Sequence, residues 1–502
     1  MALDKKYYIH TANGKFKGTT QKDLDVLFQT YKESEKDTMV LHFHGGLVNY
    51  DAGMEKAQRL FENYHDNADA YPVFFIWEAG PFEAIRNNLG EILNEIIFNK
   101  LLKHLLRFMK AKFETDVSKR SGALHLDSQT EITAFMEQLQ AGTASLDKYD
   151  PEHLENTDEF SAVQIRQLET ELKRDKALAY EVAAIIESLK DQNEIDSEYV
   201  ATRGMTGRAS VRTLMSPSLF VNIRAASPDV QKRSFLTTAK FFKLLINVAK
   251  RVIRRYVTRR HHGFYVTIVE EILREFYIDN LGTVLWDLMK NDTADTFQQD
   301  SAYAGTAFLK GLQQLSKEGK LPKRIVLIGH STGAVFICNL LKYADEQGLS
   351  SDITFDLAFL APACTFELFD ETITEHSDRI DHLRMFSMNA TLEKEDALVP
   401  VIYTSSLLYF ISGMLENDDD KPILGMQRFF KTVPPFNESD FPEIARSKAF
   451  LSSTKSSKVW SIINNGEGKA SEATSHGGEK GFDSDEATLK SLEYIIQHGY
   501  GE

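Results

Sequence analysis

The sequence predicts an α/β protein, with a mostly parallel central sheet flanked by helices and interrupted by one large helical insertion. Two observations carry this. Short apolar runs alternate with helical periodicity near both ends of the chain, the pattern of parallel strands covered by helices. Between these ends lie two blocks of opposite charge that break an otherwise mixed sequence. Residues 114–200 hold 20 acidic and 8 basic residues, a net of −12, and residues 201–260 hold 14 basic and one acidic, a net of +13.

The first region reads as a strand at Met39–Phe43, a helix near Met54–Tyr64 and a strand at Tyr71–Trp77. The second reads as a helix near Ala302–Lys317, a strand at Arg324–Ile328 and a helix at Ala334–Tyr343. Strands at Thr354–Leu360, His382–Met388 and Val459–Ile463 follow, then a last helix near Glu486–Gln497. Within the acidic block, helical spacing recurs at Glu131–Gln140, Ala162–Glu171 and Leu178–Leu189, and Asp147–Pro151 reads as a loop. These boundaries divide the chain into a first core part (1–111), a charged helical insertion (112–262) and a second core part (263–502).

Composition sets further limits. The 502 residues are 42% hydrophobic and 26% charged, which excludes a fibrous or globally disordered chain. Two cysteines, Cys338 and Cys364, form no disulfide framework and fit a reducing compartment. Met1–Lys15 lacks the apolar core of a secretory signal, so a cytoplasmic location is expected. The uncharged stretch Ala397–Leu415 contains Pro400, Ser405, Ser406, Ser412 and Gly413 and reads as a loop plus a buried helix, because a span needs about 20 mostly apolar residues. The net charge of −15 argues against nucleic acid as a partner.

One pentapeptide carries chemistry. Gly329-His330-Ser331-Thr332-Gly333 has the form G-x-S-x-G. At typical Gly and Ser frequencies this arises by chance roughly 0.1 times in such a length. Its setting is more specific: a buried-strand run precedes it and a helical run follows it, the context of a serine held at a sharp strand-to-helix turn. Glycine at 329 and 333 lets strand and helix pack closely, and Ser331 stands near a helix N-terminus, which favours a developing oxyanion.

A serine hydroxyl needs a base, and the base needs an orienting carboxylate. Of the 14 histidines, His476 lies in a loop after the last strand, at the sheet edge where Ser331 stands. His498 ends a terminal helix, and His376 and His382 precede a strand and belong to the opposite edge. The acid follows His382–Met388: Asp396, just before the apolar turn Ala397–Pro400, is favoured, with Glu395 and Glu393 as alternatives. His44-Gly45-Gly46 follows a strand and offers main-chain donors, so the oxyanion hole is assigned to the Thr332 and Gly46 N–H groups, with Leu47 as an alternative. His42 and His44 alternate on a strand with no third ligand in view, so no metal is expected.

The order His44-Gly-Gly46, Gly329-His-Ser-Thr-Gly333, Asp396, His476 resembles the α/β-hydrolase superfamily, and the Gly-His-Ser-x-Gly form is similar to its lipases and esterases. The resemblance covers roughly residues 35–110 and 280–500 and leaves out the insertion. It implies an eight-stranded sheet and hydrolysis of an ester, thioester or amide through an acyl-enzyme, with no cofactor. The expected substrate is an ester of a lipid or hydrophobic acyl group. A thioesterase, amidase or peptidase with the same triad, or a non-catalytic scaffold whose insertion recruits a partner, are the alternatives.

Lys240–Arg260 carries eight basic and no acidic residues, with Phe241, Leu245, Val248, Val252 and Tyr256 at helical spacing. Such a helix either packs on the sheet with a solvated basic face or contacts an anionic membrane surface as a peripheral protein. The uncharged-to-basic run Ile96–Met109 is a second candidate. The two charged blocks are also suited to neutralising one another inside a single cap.

Overall fold

The computed structural model describes residues 3–46, 48–78, 82–118, 160–191, 214–216, 219, 233–278, 283–300, 302–416, 418–431, 435–463, 473–475 and 481–500. The chain opens with a hairpin, β1 (Tyr8–Ala12) and β2 (Lys15–Phe16), whose two-residue turn Asn13-Gly14 has φ of 49° and 70°. Positive φ at both turn positions matches the right-handed twist of the flanking strands, which is why Asn-Gly closes such hairpins. Then come α1 (Gln21–Ser34), β3 (Thr38–Phe43), α2 (Tyr50–Glu62) and β4 (Tyr71–Trp77).

A helical region follows: α3 (Phe82–Leu93), α4 (Ile96–Ser118), α5 (Ala162–Arg174), α6 (Lys176–Asp191), α7 (Arg233–Val257), α8 (Phe264–Phe276), α9 (Thr283–Asp295) and α10 (Ala304–Lys317). The second half alternates β5 (Arg324–His330), α11 (Gly333–Glu346), β6 (Phe355–Leu360), α12 (Phe366–Glu375) and β7 (Ile380–Met388). It ends with α13 (Ala390–Glu395), α14 (Leu407–Phe410), α15 (Pro442–Phe450), β8 (Ser456–Ser461) and α16 (Glu486–His498).

The eight strands form one mixed sheet in the order β2-β1-β4-β3-β5-β6-β7-β8, antiparallel only between β1 and β2. β3 is central and pairs with β4 and β5, so Phe43 lies in register with Phe75 on one side and Gly329 on the other. Every residue of β4 and β6 is buried, as continuous apolar runs such as Val73-Phe-Phe-Ile-Trp77 require when a parallel sheet is covered on both faces. Because all strands from β3 onward are parallel, the segments that follow β3, β5, β7 and β8 meet at one edge.

The apolar stripe of the basic helix α7 lies inside the molecule. Phe241, Leu245, Val248, Val252 and Tyr256 are buried, and α7 packs on α4, α5, α6 and α8. Fully burying such side chains stabilises by roughly 1.5–3 kcal/mol each. The stripe therefore belongs to helix packing. Leu101, Leu102, Leu105, Phe108 and Met109 of α4, the second candidate, are buried as well. No helix among the described residues is long and apolar enough to cross a membrane. The stretch 397–415 is a turn followed by buried helix, with Tyr409–Leu415 inaccessible. The sequence intervals Glu131–Gln140 and Asp147–Pro151 lie outside the described residues.

The basic end of α7 is neutralised by an acidic turn of the core. Arg254 reaches Asp419 (2.5 Å) and Arg260 reaches Asp418 (2.8 Å). Arg274 of α8 joins Asp419 at 3.2 Å, and Arg428 pairs with Asp420 at 2.9 Å. Residues 418–420 thus pin the helical region to the sheet side of the fold.

Candidate active site

Ser331 stands between the buried strand β5 and α11 with φ 52°, a left-handed conformation that costs a non-glycine residue about 1–3 kcal/mol. Backbone bonds hold it there. Its N–H donates to the Leu360 carbonyl (2.8 Å), and its own carbonyl accepts from Ala334 and Ala363 (both 3.1 Å). The turn is tight enough to demand glycine at position 333, where a Cβ would lie 2.2 Å from the Phe43 carbonyl oxygen. The start of α11 therefore touches the end of β3, and Ser331 is nine-tenths buried beside it.

The segment after β3 meets this turn. A Cβ on Gly46 would lie 2.5 Å from Thr332 Oγ1, so only glycine lets this backbone approach Thr332. Gly45 lies next to Ser331: its Cβ position would be 3.4 Å from the Ser331 Cβ. His44 fixes the segment. The Trp77 backbone N–H donates to His44 Nε2 (3.2 Å), which leaves Nδ1 to donate to the Gly45 carbonyl (2.7 Å). Burial lowers the His44 pKa to about 4, so the ring is neutral, as this bonding needs. Asn49 then caps α2 through the Ala52 N–H (2.9 Å). His42 points elsewhere, bonding the Tyr64 hydroxyl at 3.1 Å. Leu47 lies outside the described residues.

The three carboxylates after β7 differ in environment. Glu395 is exposed. Glu393 is inaccessible to solvent, bonded to the Ser406 hydroxyl, and burial pushes its pKa up to about 8, with the Asp396 charge adding to the rise. It is uncharged at neutral pH. Asp396 is half-buried at the C-cap of α13, its N–H bonded to the Leu392 carbonyl at 2.9 Å. The Asn389 side chain fixes this helix to the strand edge, accepting from Thr391 and Leu392 and donating to the Ser461 carbonyl at 2.7 Å.

His476 lies outside the described residues, and described residues before and after it are anchored. Ser475 donates from both N–H (3.0 Å) and Oγ (2.5 Å) to Asp485, and Thr474 pairs with Ile463 just beyond β8. On the far side, a Cβ on Gly481 would lie 3.5 Å from His330 Cε1. Asp483 is fully buried; it accepts from Lys56 (2.7 Å), lies 3.6 Å from Arg59 and 3.4 Å from His330 Nδ1. Burial opposes its ionisation, but His330 and Lys56 outweigh this and hold the carboxyl well below the usual range. Asp483 and Lys56 are 427 positions apart, and no local pattern in the sequence announces their contact.

A second histidine–carboxylate cluster lies where the helical region meets the core. His262 Nδ1 is 2.8 Å from Glu270 and Nε2 is 2.8 Å from Asp420. Arg255 adds an ion pair to Glu270 at 2.6 Å, and the side chains of all four residues are inaccessible. Burial raises the Glu270 pKa, but the His262 and Arg255 charges outweigh it and hold it to about 2. Both ring nitrogens of His262 thus face carboxylates, and neither faces a hydroxyl. Ser412 completes the superficial likeness to a triad, but its hydroxyl donates to the Lys421 carbonyl (2.7 Å) and faces Asp420 (3.2 Å). This cluster clamps α7 and α8 to the core.

The mostly parallel eight-stranded sheet, its flanking helices and the large helical insertion define an α/β-hydrolase-like fold. No family model matches the sequence, and no curated protein or solved structure matches it. A cavity of about 310 Å³ has Val335, Ala363 and Cys364 in its wall and Lys290, Glu367, Glu416 and Lys421 around it; Ala363 is the residue whose N–H donates to the Ser331 carbonyl.

Proposed function

We propose that the chain is a serine hydrolase that cleaves a carboxylic ester through an acyl-enzyme. Ser331 Oγ attacks the carbonyl as His476 takes its proton; Asp396 orients His476 and stabilises the imidazolium. The Thr332 and Gly46 N–H groups hold the oxyanion. His476 returns the proton to the leaving alcohol, and water cleaves the acyl-enzyme by the same route.

The observation that carries this reading is the left-handed Ser331 at the end of β5, braced by Leu360 and Ala363 and approached by Gly45 and Gly46. A strained residue over-determined by its surroundings is a common mark of a functional site. Asp396 is preferred as the acid because Glu393 is neutral at pH 7 and Glu395 is solvated. Hydrolysis of p-nitrophenyl butyrate tests the proposal: the wild type turns it over and Ser331→Ala does not. Inert wild-type protein would favour a non-catalytic scaffold instead.

For the acyl group, a lipid or long hydrophobic chain remains the expectation from the resemblance. The cavity at Ala363 favours a second reading, because the ion pairs Lys290–Glu416 (3.0 Å) and Lys421–Glu367 (2.7 Å) lie around it. This suits a short, polar acyl group. A ladder of esters from acetyl to palmitoyl, assayed alongside a thioester and a peptide panel, separates the two readings and the neighbouring chemistries.

A further inference from the structure

We infer that the side-chain hydroxyl of Thr332 is a third oxyanion donor, acting beside the backbone N–H groups. This rests on the hydrolase reading above. One polar atom beside the serine points to it. Thr332 immediately precedes the 14-residue helix α11 and already has helical backbone angles, φ −65° and ψ −18°, so its side chain does not cap the helix.

That hydroxyl has no hydrogen-bond partner among the described residues. Thr332 is 1% exposed, and Oγ1 is buried without a hydrogen bond. A buried unmade hydrogen bond costs about 1–3 kcal/mol, so a polar atom left in this state beside a reactive serine is a place where a ligand atom is expected. The direction is set by Gly46, whose Cβ position would lie 2.5 Å from Oγ1, with Met289 Sδ closing the far side at 3.3 Å from the same point. The hydroxyl therefore faces the segment that supplies the other proposed donor.

The chemistry is a hydrogen bond, with no proton transferred to or from Thr332. As Ser331 Oγ bonds to the carbonyl carbon, the π electrons move to the carbonyl oxygen and the serine proton goes to His476. Thr332 Oγ–H then donates to that oxygen together with the Thr332 and Gly46 N–H groups. When the intermediate collapses, the carbonyl re-forms and His476 protonates the departing alkoxide. A donor aimed at the oxyanion acts mainly in the transition state, so it governs kcat more than KM.

The test uses the full chain with p-nitrophenyl butyrate and a fluorophosphonate probe. Thr332→Val keeps the shape and removes the hydroxyl; kcat and the labelling rate should both fall about 100-fold, with KM within about threefold. Thr332→Ser restores the hydroxyl and should recover most of the rate. Thr332→Ala serves if the valine variant does not fold, and should match the expected valine loss. A valine or alanine variant within threefold of wild type, or a serine variant as slow as either, overturns the inference. Wild-type protein that neither labels nor turns over removes the hydrolase reading, and this inference with it.

Discussion

Two parts of this molecule bring histidine, carboxylate and serine into one neighbourhood, and they are built on opposite principles. Around His262 the charges are inaccessible and meet partners on both sides: Glu270 and Asp420 occupy both ring nitrogens, and Arg255 supports Glu270. Around Ser331 the backbone is strained, the Thr332 hydroxyl has no partner among the described residues, and glycines let neighbouring backbone segments approach closely. A histidine–carboxylate contact alone therefore says little about catalysis. A base needs one nitrogen left free and a hydroxyl in front of it; a clamp needs neither. The first arrangement stores cohesion between α7, α8 and the core, and the second keeps unmet polar capacity beside Ser331.

The sharpest way to break this contrast is to mutate one residue in each place. Ser331→Ala should reduce kcat by at least about 10⁴-fold with the melting temperature little changed. Arg255→Met should do the reverse. Removing one partner of a buried ion pair costs roughly 3–5 kcal/mol, read from the denaturant midpoint, while the folded fraction keeps its esterase rate. Loss of activity without loss of stability in Arg255→Met would place the chemistry at the wrong cluster.

The next comparison is between neighbouring carboxylates. Asp396→Asn should lower kcat by about 10⁴-fold, as when a triad aspartate is neutralised. Glu393→Gln should leave kcat within a few fold, because Glu393 is already uncharged at pH 7. The opposite pair of results would move the acid to Glu393.

A smaller effect lies in the pH dependence of stability. Burial lowers His42 to about 3, His44 to about 4 and His261 to about 3, whereas the unfolded chain protonates near the ordinary value of 6.5. The unfolded state thus binds more protons below pH 6.5, and stability is lost as pH falls toward 3. Glu393 has the other sign. Its ordinary value is 4.5 and its folded value about 8, so the folded state holds the extra proton and stability falls as pH rises from 4.5 to 8. Between pH 5.5 and 8 the histidine gain opposes the Glu393 loss, so the two are separated by comparing chains: the urea midpoint of the wild type should fall relative to that of Glu393→Gln as pH rises from 5.5 to 8.

The smallest expected effect concerns the basic helix. With Phe241, Leu245, Val248, Val252 and Tyr256 packed inside, contact with anionic vesicles would be electrostatic alone. Sedimentation at low salt should show weak binding that vanishes near 0.5 M salt, where the Debye length is only a few ångströms (about 3 Å at 1 M). Salt-resistant binding would mean that apolar surface is engaged.

Much of the sheet was legible because its signals are local. The strand Tyr71–Trp77 was read residue for residue, and β5 through α11 within a few positions, since continuous apolar runs and helical spacing need no distant partner. The hairpin at Tyr8–Phe16 escaped the reading even though Asn13-Gly14 announces it, and the resemblance began only near residue 35. The charged blocks were harder. Their expected mutual neutralisation gave no hint that Arg254 and Arg260 would meet Asp419 and Asp418, because pairs some 160 positions apart leave no periodic trace. At the site, the strand–turn–helix setting of Ser331 was readable from the apolar runs on either side of Gly329–Gly333, whereas the Asp483–Lys56 pair and the unpartnered Thr332 hydroxyl exist only in three dimensions.

The proposal that Ser331 is an activated nucleophile is tested by incubating the folded wild-type chain with a fluorophosphonate, followed by peptide mass spectrometry. A single stoichiometric adduct is expected on the peptide containing Gly329–Gly333, absent from Ser331→Ala. An adduct on a different serine, Ser412 included, or no adduct on the wild type, would contradict it.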